Sequence, residues 1–449
     1  MNRRDFLTGA AATGLAASLP RKARAAWSPN DVVNVAIVGI RGDSRGQPTW
    51  TRLGRGQDHY EALSGLKNVR ITHVVDIDER HFATTLPKLK NRFGGEPKTE
   101  TDVRRVLDNR DVHAITVAVP DHWHALMTVW GCQAGKDVYV EKPICQNLFE
   151  GRKMIEAARK YNRVVQCGTQ RRSGRTVQEA VKFLRGGGLG KIYSARCAVL
   201  RARDPIGRVP DGPAPEGVHY DLWLGPAPKH PFNELRFHYT WHWFWDYGTG
   251  ELGNNGIHVL DVLRWAIGKR EHPQRVHCVG GLHDRGAPTD QETPNTQYAT
   301  WEYADGTILR CDVQGWYCGS EAGGSVIYGT EGWMDLDAAG GPKIHLGRKN
   351  EPGPDLAQGL APGERRPDPV AEHFQNFVDC VRARKPQALA ADVEEGFMST
   401  ALCHLGNISY RVGRALVFDG KSERFVNDAE ANRLLTRNYR EPFVVPEKV

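Results

Sequence analysis

No apolar run in this 449-residue chain reaches the ~18 residues that a membrane helix needs, so no bilayer span is expected. Cysteine occurs nine times but never as a CxxC pair or at a framework spacing, which argues against a zinc ribbon, a thioredoxin-type motif and a disulfide scaffold. Charge of one sign is scarce as well. Lys and Arg together number 60 against 53 acids, and four units of the net +7 sit in residues 1–25, leaving +3 for the rest. No basic block with interleaved aromatics stands out, so nucleic acid is not an expected partner. His122 and His124 alternate without further ligands nearby in sequence, and no metal site is expected. What remains, 40% apolar and 25% charged residues, is the composition of a globular protein of two or three domains.

The first 25 residues read as an address. Asn2-Arg3-Arg4-Asp5-Phe6-Leu7 precedes a weakly apolar stretch, Gly9–Leu19, and then Ala23-Arg24-Ala25, a small-x-small cleavage site. Adjacent arginines followed by Phe-Leu resemble the twin-arginine (Tat) export signal of bacteria, which implies a periplasmic or secreted protein that folds before export. Folding first would keep the cysteines reduced, as small buried apolar residues.

Asp31–Val38 is a continuous β-branched run, the pattern of a strand buried on both faces. Val69–Ile77, Val112–Val119, Val138–Val140 and Arg163–Cys167 repeat it. Between the last two, Leu148–Tyr161 carries Met154, Ile155, Ala158 and Tyr161 on one face, with Asn147 and Glu150 as a capping box. Alternating strands and helices predict a doubly wound parallel sheet over 32–170. Longer strands follow at Lys191–Leu200, Arg275–His283, Thr296–Tyr303 and Thr307–Val313, the last two joined by an Asp305-Gly306 hairpin turn. They predict an α+β domain over 171–425 with a large, mostly antiparallel open sheet, then a tail at 426–449. Pro/Gly-rich stretches at 204–217 and 340–369 read as long loops, and Val370–Arg384 and Glu394–Tyr410 as helices.

The first strand ends in Gly39-Ile40-Arg41-Gly42-Asp43-Ser44-Arg45-Gly46, and Asp76 ends the second. Strand, glycine turn, helix and acid are what a dinucleotide needs: close backbone approach to the pyrophosphate, a positive helix end, and a carboxylate for the ribose hydroxyls. The turn is not a regular GxGxxG, and Asp76 lies 37 residues after Gly39. The next two strand ends carry Val119-Pro120-Asp121-His122-Trp123-His124 and Glu141-Lys142-Pro143, where ligands of open α/β sheets sit. A lysine there can relay a hydroxyl proton. Trp241-His-Trp243-Phe-Trp245-Asp246 offers aromatic faces and hydroxyl partners for a sugar, with Arg172, His238 and His242 as weaker candidates.

Val38-Gly39-x-x-Gly42, Pro120-Asp-His-Trp-His124, Val140-Glu-Lys-Pro143, Gly168-Thr-Gln170-Arg171 and Gly250-Glu-Leu-Gly-Asn254-Asn-Gly-Ile-His258 resemble the Gfo/Idh/MocA oxidoreductases over nearly the whole chain. The resemblance implies a Rossmann domain, a C-terminal α/β domain and a nicotinamide cofactor between them. It implies Lys142 and His258 beside the carbon that gives up hydride, with Gly39, Ile40, Arg41, Gly42, Asp76, Val119, Pro120, His122, His124, Glu141 and Lys142 toward the cofactor. Gln170, Arg171, Trp241, Trp243, Trp245, Asp246 and His258 fall toward a carbohydrate substrate. Where the family commonly has an acid, this chain has Asn254, an amide that can orient His258 but not raise its basicity. Asp76 favours NAD over NADP. The expected protein is an exported, homo-oligomeric sugar or polyol dehydrogenase. The alternatives are a redox-neutral, NAD-dependent glycoside hydrolase or lyase working through a transient ketosugar, and a non-catalytic carbohydrate-binding protein on the same fold.

Overall fold

The structure, a computed structural model, describes residues 31–41, 54–88, 95–283, 286, 288–317, 323–356 and 368–449. The leader, Gly42, Gly46 and Cys318 lie outside them. Among the described residues no helix is long and apolar enough to cross a membrane.

The β-branched runs form β1 (Val33–Val38), β2 (Val69–Val75), β4 (Ala114–Val117), β5 (Asp137–Val140) and β6 (Val165–Cys167), and a short polar strand that the sequence did not announce, β3 (Lys98–Glu100), joins them at the edge. They build a six-stranded sheet of order β3-β2-β1-β4-β5-β6, parallel at every pairing. The order reverses between β1 and β4, which opens a crevice at the strands' carboxyl ends. Helices α1 (Arg55–Ser64), α2 (Arg80–Thr85), α3 (Val103–Leu107), α4 (Asp121–Gln133) and α5 (Leu148–Lys160) connect them. The capping expected for α5 is present: Asn147 Oδ1 accepts from the Glu150 amide at 3.0 Å, and the Glu150 carboxylate accepts from the Gln146 amide at 2.9 Å.

Helix α6 (Arg175–Arg185) leads into the second sheet through β7 (Ile192–Leu200). Past the short α7 (Tyr220–Leu224) and α8 (Ile257–Ala266) come β8 (Arg275–Gly281), β9 (Thr296–Glu302), β10 (Ile308–Gln314), β11 (Gly324–Gly329), β12 (Gly332–Asp335), β13 (Lys343–Leu346) and β14 (Glu351–Pro352). Helices α9 (Pro369–Ala383) and α10 (Val393–Val412) precede β15 (Leu416–Asp419), β16 (Arg424–Phe425) and α11 (Ala429–Arg433). The sheet has ten strands in the order β14-β13-β12-β11-β7-β10-β9-β8-β15-β16, antiparallel except where β10 pairs β7. The β9–β10 turn is the Asp305-Gly306 hairpin, with Gly306 at φ +82°. The 340–369 stretch, read as a loop, contributes β13 and β14 instead. These strands are too short and too polar to show a two-residue alternation, so only the pairing of β13 with β12 and of β14 with β13 reveals them.

Two segments cross between the sheets. Phe374, Phe377, Val378 and Val381 of α9 pack with Val33, Val35 and Ile37, covering the first sheet from a position late in the chain. Phe443 lies edge-on to Trp123 of α4 at 5.4 Å, so the tail returns to the first domain. The eight described cysteines are all free and buried.

Candidate active site

At the carboxyl ends of β1, β2, β4 and β5 lies a cleft of about 340 Å³, lined by Gly39, Arg41, Asp76, Val119, Pro120, Asp121, Glu141 and Lys142 from the first domain. The second domain adds Arg201, Phe237, Tyr239, Trp241, His242 and Asn254.

One end is built for close approach. Gly39 has φ +86°, and a Cβ on it would stand 2.4 Å from the Ala118 carbonyl oxygen, so this turn admits only glycine. Asp76 Oδ2 accepts from the amides of Ile40 and Arg41 at 2.9 and 3.0 Å, and Oδ1 from that of Asp78 at 3.0 Å. Burial would raise its carboxyl, but His81 and these amides hold it below its ordinary value. The acid predicted to face a ribose therefore also latches the glycine turn. Ile40 is wholly buried and touches this end through its backbone alone. A bare turn, a buried anion beside it and an apolar groove past Val119 and Pro120 fit a dinucleotide, which Gly39, Arg41, Asp76, Val119 and Pro120 would hold.

Lys142 marks the other end. Helix α8 is preceded by a π-helical turn, Leu252–Gly256. A wider turn departs from the i−4 bonding register and recurs at functional sites. Lys142 Nζ donates to the Asn254 carbonyl at 2.8 Å and to its Oδ1 at 3.3 Å. Burial lowers the Lys142 ammonium from its ordinary value, with Glu141 and Asp121 pulling the other way. Asp121, at the first position of α4, is 2% exposed and accepts from Thr249 Oγ1 at 3.0 Å. Burial pushes its carboxyl up to about 8.

Several expected roles change in three dimensions. Asn254, expected to orient His258, instead holds Lys142. His258, the second residue of α8, is half-buried, its ring makes no hydrogen bond among the described residues, and it is pushed down to about 3 by burial and the Lys142 charge. His122 is buried against Trp223 and Tyr247, with Nε2 at 2.9 Å from the Trp223 carbonyl, away from the cleft. His124 touches the cleft, but both ring nitrogens are engaged, with the Pro143 carbonyl at 2.7 Å and the Val119 carbonyl at 2.8 Å. It clamps the ends of β4 and β5 together. Glu141 faces inward to Arg55 at 3.3 Å and His59 at 3.0 Å, which hold its carboxyl well below the usual range despite burial.

The aromatic wall shrinks to one tryptophan. Trp241 lines the cleft with His242 stacked on it at 3.6 Å. Trp243 faces Arg203 at 4.9 Å, Trp245 faces Arg411 at 5.1 Å, and Asp246 pairs with His230 at 2.9 Å. Alternate positions diverge because Thr240–Trp243 forms a 3₁₀ turn, whose period is three rather than two. Arg171 pairs with Asp337, and Gln170, with its amide turned to satisfy both ends, accepts from Arg55 at 3.0 Å; neither lines the cleft. Asp121, Arg201 and Tyr239 were missed. Asp121 was legible as an acid opening a helix at a strand end, whereas Arg201 and Tyr239 carry no motif.

Comparison with known proteins agrees with this architecture. Residues 33–169 match the family described as "Oxidoreductase family, NAD-binding Rossmann fold", and residues 206–445 its "C-terminal alpha/beta domain". Residues 1–20 match the twin-arginine translocation signal, which directs export across the cytoplasmic membrane. Levoglucosan dehydrogenase of Pseudarthrobacter phenanthrenivorans is 28% identical over 40% of this chain and 38% of its own. Myo-inositol 2-dehydrogenase of Thermotoga maritima is 27% identical over 34% of this chain and 44% of its own. The matched region thus spans about two fifths of these relatives' lengths. Among solved structures, the WlbA dehydrogenase of Bordetella pertussis in complex with NADH and UDP-GlcNAcA superposes with a TM-score of 0.64 at 18% identity, covering 87% of this chain and 98% of that one.

Proposed function

The chain belongs to the Gfo/Idh/MocA oxidoreductase family, whose NAD-binding Rossmann domain it carries, and from that membership we propose that it is an exported dehydrogenase that oxidises one secondary hydroxyl of a sugar or polyol. The observation that carries this reading is Lys142 Nζ held on the Asn254 carbonyl, in the same cleft as the Gly39 turn. When bound, the nicotinamide supplies the hydride acceptor. The residues of the chain do the rest. Trp241 and Tyr239 give a ring apolar faces to lie against. A substrate hydroxyl takes a place at Lys142 Nζ, and its proton passes to that nitrogen as the C–H bond breaks, leaving a ketone and a lysine ammonium. Because burial lowers the ammonium's pKa, the neutral amine that must receive the proton is accessible nearer to neutrality. His258, pushed down to about 3, is too weak a base to compete for it. The buried Asp76 supports NAD over NADP. The periplasm is the compartment that fits a cofactor carried inside a protein folded before export.

The test is Lys142→Met, which keeps the length and apolar stem and removes the amine. Nucleotide released from denatured protein, measured by mass spectrometry, should remain NAD. Turnover of the sugar oxidised by the parent should fall by about 10²–10⁴-fold. Unchanged turnover with NAD retained would refute the assignment. A released monosaccharide in place of a ketosugar would assign redox-neutral glycoside cleavage instead.

A further inference from the structure

We infer that the substrate carries a carboxylate, and that Arg201 is the residue that selects it. This rests on the sugar-dehydrogenase reading above and names its substrate class: a sugar acid rather than a neutral sugar.

Arg201 follows directly on β7, where the chain leaves the second sheet at the substrate end of the cleft. It lines the cleft together with Lys142, Trp241 and Asn254, and it also lines the adjoining hollow formed by Arg203, Leu235, Tyr239 and Trp243. It therefore stands where a substituent would project from a ring held against Trp241.

Its charge is unspent. Among the described residues its side chain has one polar partner, the neutral Asn255 Oδ1, at 3.4 Å from Nη1. The acid that could have neutralised it is taken. Glu251, 2% exposed, accepts from Arg203 Nε at 3.0 Å and Nη2 at 3.2 Å. Glu251 Oε1 also accepts from Asn255 Nδ2, which fixes the amide so that its oxygen faces Arg201. Arg203 lies over Trp243, which holds the chain of contacts from behind. The arrangement positions one guanidinium with an amide oxygen and leaves its remaining donors without an anion. Arg55, in the same cleft, shows the contrast, since Asp58 and Glu141 saturate it.

The chemistry of the occupant follows from the donors. A guanidinium stays charged at any working pH and offers parallel N–H groups that match a carboxylate two to one. Lys142 and Arg201 line the one cleft and are held by consecutive residues, Asn254 and Asn255, so a single small molecule can present its hydroxyl to the first and its anionic group to the second. A uronic or aldonic acid has both. A phosphate dianion fits less well, because among the described residues beside Asn255 only Arg201 lacks an acid, Arg203 being paired with Glu251 and Arg41 lying at the Gly39 end.

The test uses purified NAD-loaded protein titrated calorimetrically with D-glucuronate, D-galacturonate, D-glucose and glucose 6-phosphate, each also assayed for nicotinamide reduction. The parent should bind a uronate at least tenfold more tightly than glucose. Arg201→Met should weaken uronate binding roughly 10- to 100-fold, the worth of one charge-assisted hydrogen-bonded pair, and glucose binding by much less, so that the preference for the uronate collapses. In turnover the loss should appear in KM rather than kcat. Arg201→Lys, which keeps the charge and loses the fork, should fall between. Equal binding of glucose and uronates, tighter binding of glucose 6-phosphate, no binding of either uronate, or uronate binding by Arg201→Met equal to the parent's would each overturn the inference. Reduction by glucose but not by uronates would overturn it while the dehydrogenase reading stands. Arg201-dependent uronate binding without any reduction would leave it standing and overturn that reading.

Discussion

Asp121 shows most clearly how a single residue's surroundings set its chemistry. It opens α4 at the carboxyl end of β4, within the electrostatic reach of Lys142, and burial pushes its carboxyl up to about 8. In the unfolded chain the same group ionises near 3.8. Its folded-state value is raised, so its contribution to stability is complete below about pH 4 and is lost as the pH climbs through 8. Asp121→Asn keeps the shape and abolishes the titration. The variant should melt close to the parent near pH 4 and gain on it steadily toward pH 8–9, which thermal unfolding followed across that range will show. A Tm difference that does not vary with pH would mean the carboxyl does not titrate there. The same residue was overlooked in the sequence in favour of its neighbours: His124, whose two ring nitrogens meet backbone carbonyls, and His122, whose Nε2 meets one away from the cleft. A histidine's identity does not reveal which way its ring turns. A carboxylate at the first turn of a helix has fewer choices, because the orphan amides and the helix dipole hold it near the helix end.

Among the elements, the π turn before α8 links the two ends of the mechanism. It offers the Asn254 carbonyl to Lys142, and its packing leaves no slack. A Cβ on Gly253 would stand 1.9 Å from Thr249 Oγ1 and 2.5 Å from Thr249 Cβ, and Thr249 is the residue that bonds Asp121. Gly253→Ala should therefore displace Thr249, break its bond to Asp121 and cost about 1–3 kcal/mol, the usual penalty of overpacking. A lower Tm together with reduced turnover is the expected outcome. A variant as stable and active as the parent would show that Thr249 is free to rotate away. Glycines spaced at 250, 253 and 256 are visible in the sequence, but a π turn is not, since no residue pattern separates it from an ordinary helix start. Its presence follows from what packs around it.

At the scale of the whole molecule, the ten-stranded sheet has one face packed on α8 and α10, and its other face exposes large apolar side chains. Val279 and Tyr298 are register partners there, 49% and 42% exposed, and Ile308 on the next strand is 42% exposed. Large apolar residues exposed on an open sheet suit a surface that another chain covers. We expect a second copy to do so. Sedimentation or light scattering should give an oligomer, and Tyr298→Lys with Val279→Lys should shift it toward the monomer without loss of bound NAD. A parent that is monomeric at micromolar concentration would rule this out.

The sequence by itself determined five of the six parallel strands, because a strand buried on both faces must be a continuous β-branched run; the polar edge strand β3 shows no such run and is revealed only by its pairing with β2. The sequence also placed Gly39, Asp76 and Lys142 at strand ends, because in an open α/β sheet that is where a ligand meets the chain. It carried the export leader and the family, both written in contiguous residues. Only the tertiary structure decided which neighbours each side chain meets: that Asn254 holds Lys142 rather than His258, that one tryptophan of three reaches the cleft, that α9 covers the first sheet, and that Arg201 faces the cleft without an acid. Those outcomes depend on contacts between residues far apart in the chain, such as Lys142 with Asn254 or Arg201 with Asn255. No local period or propensity encodes a contact of that range, so it is settled only when the two domains pack.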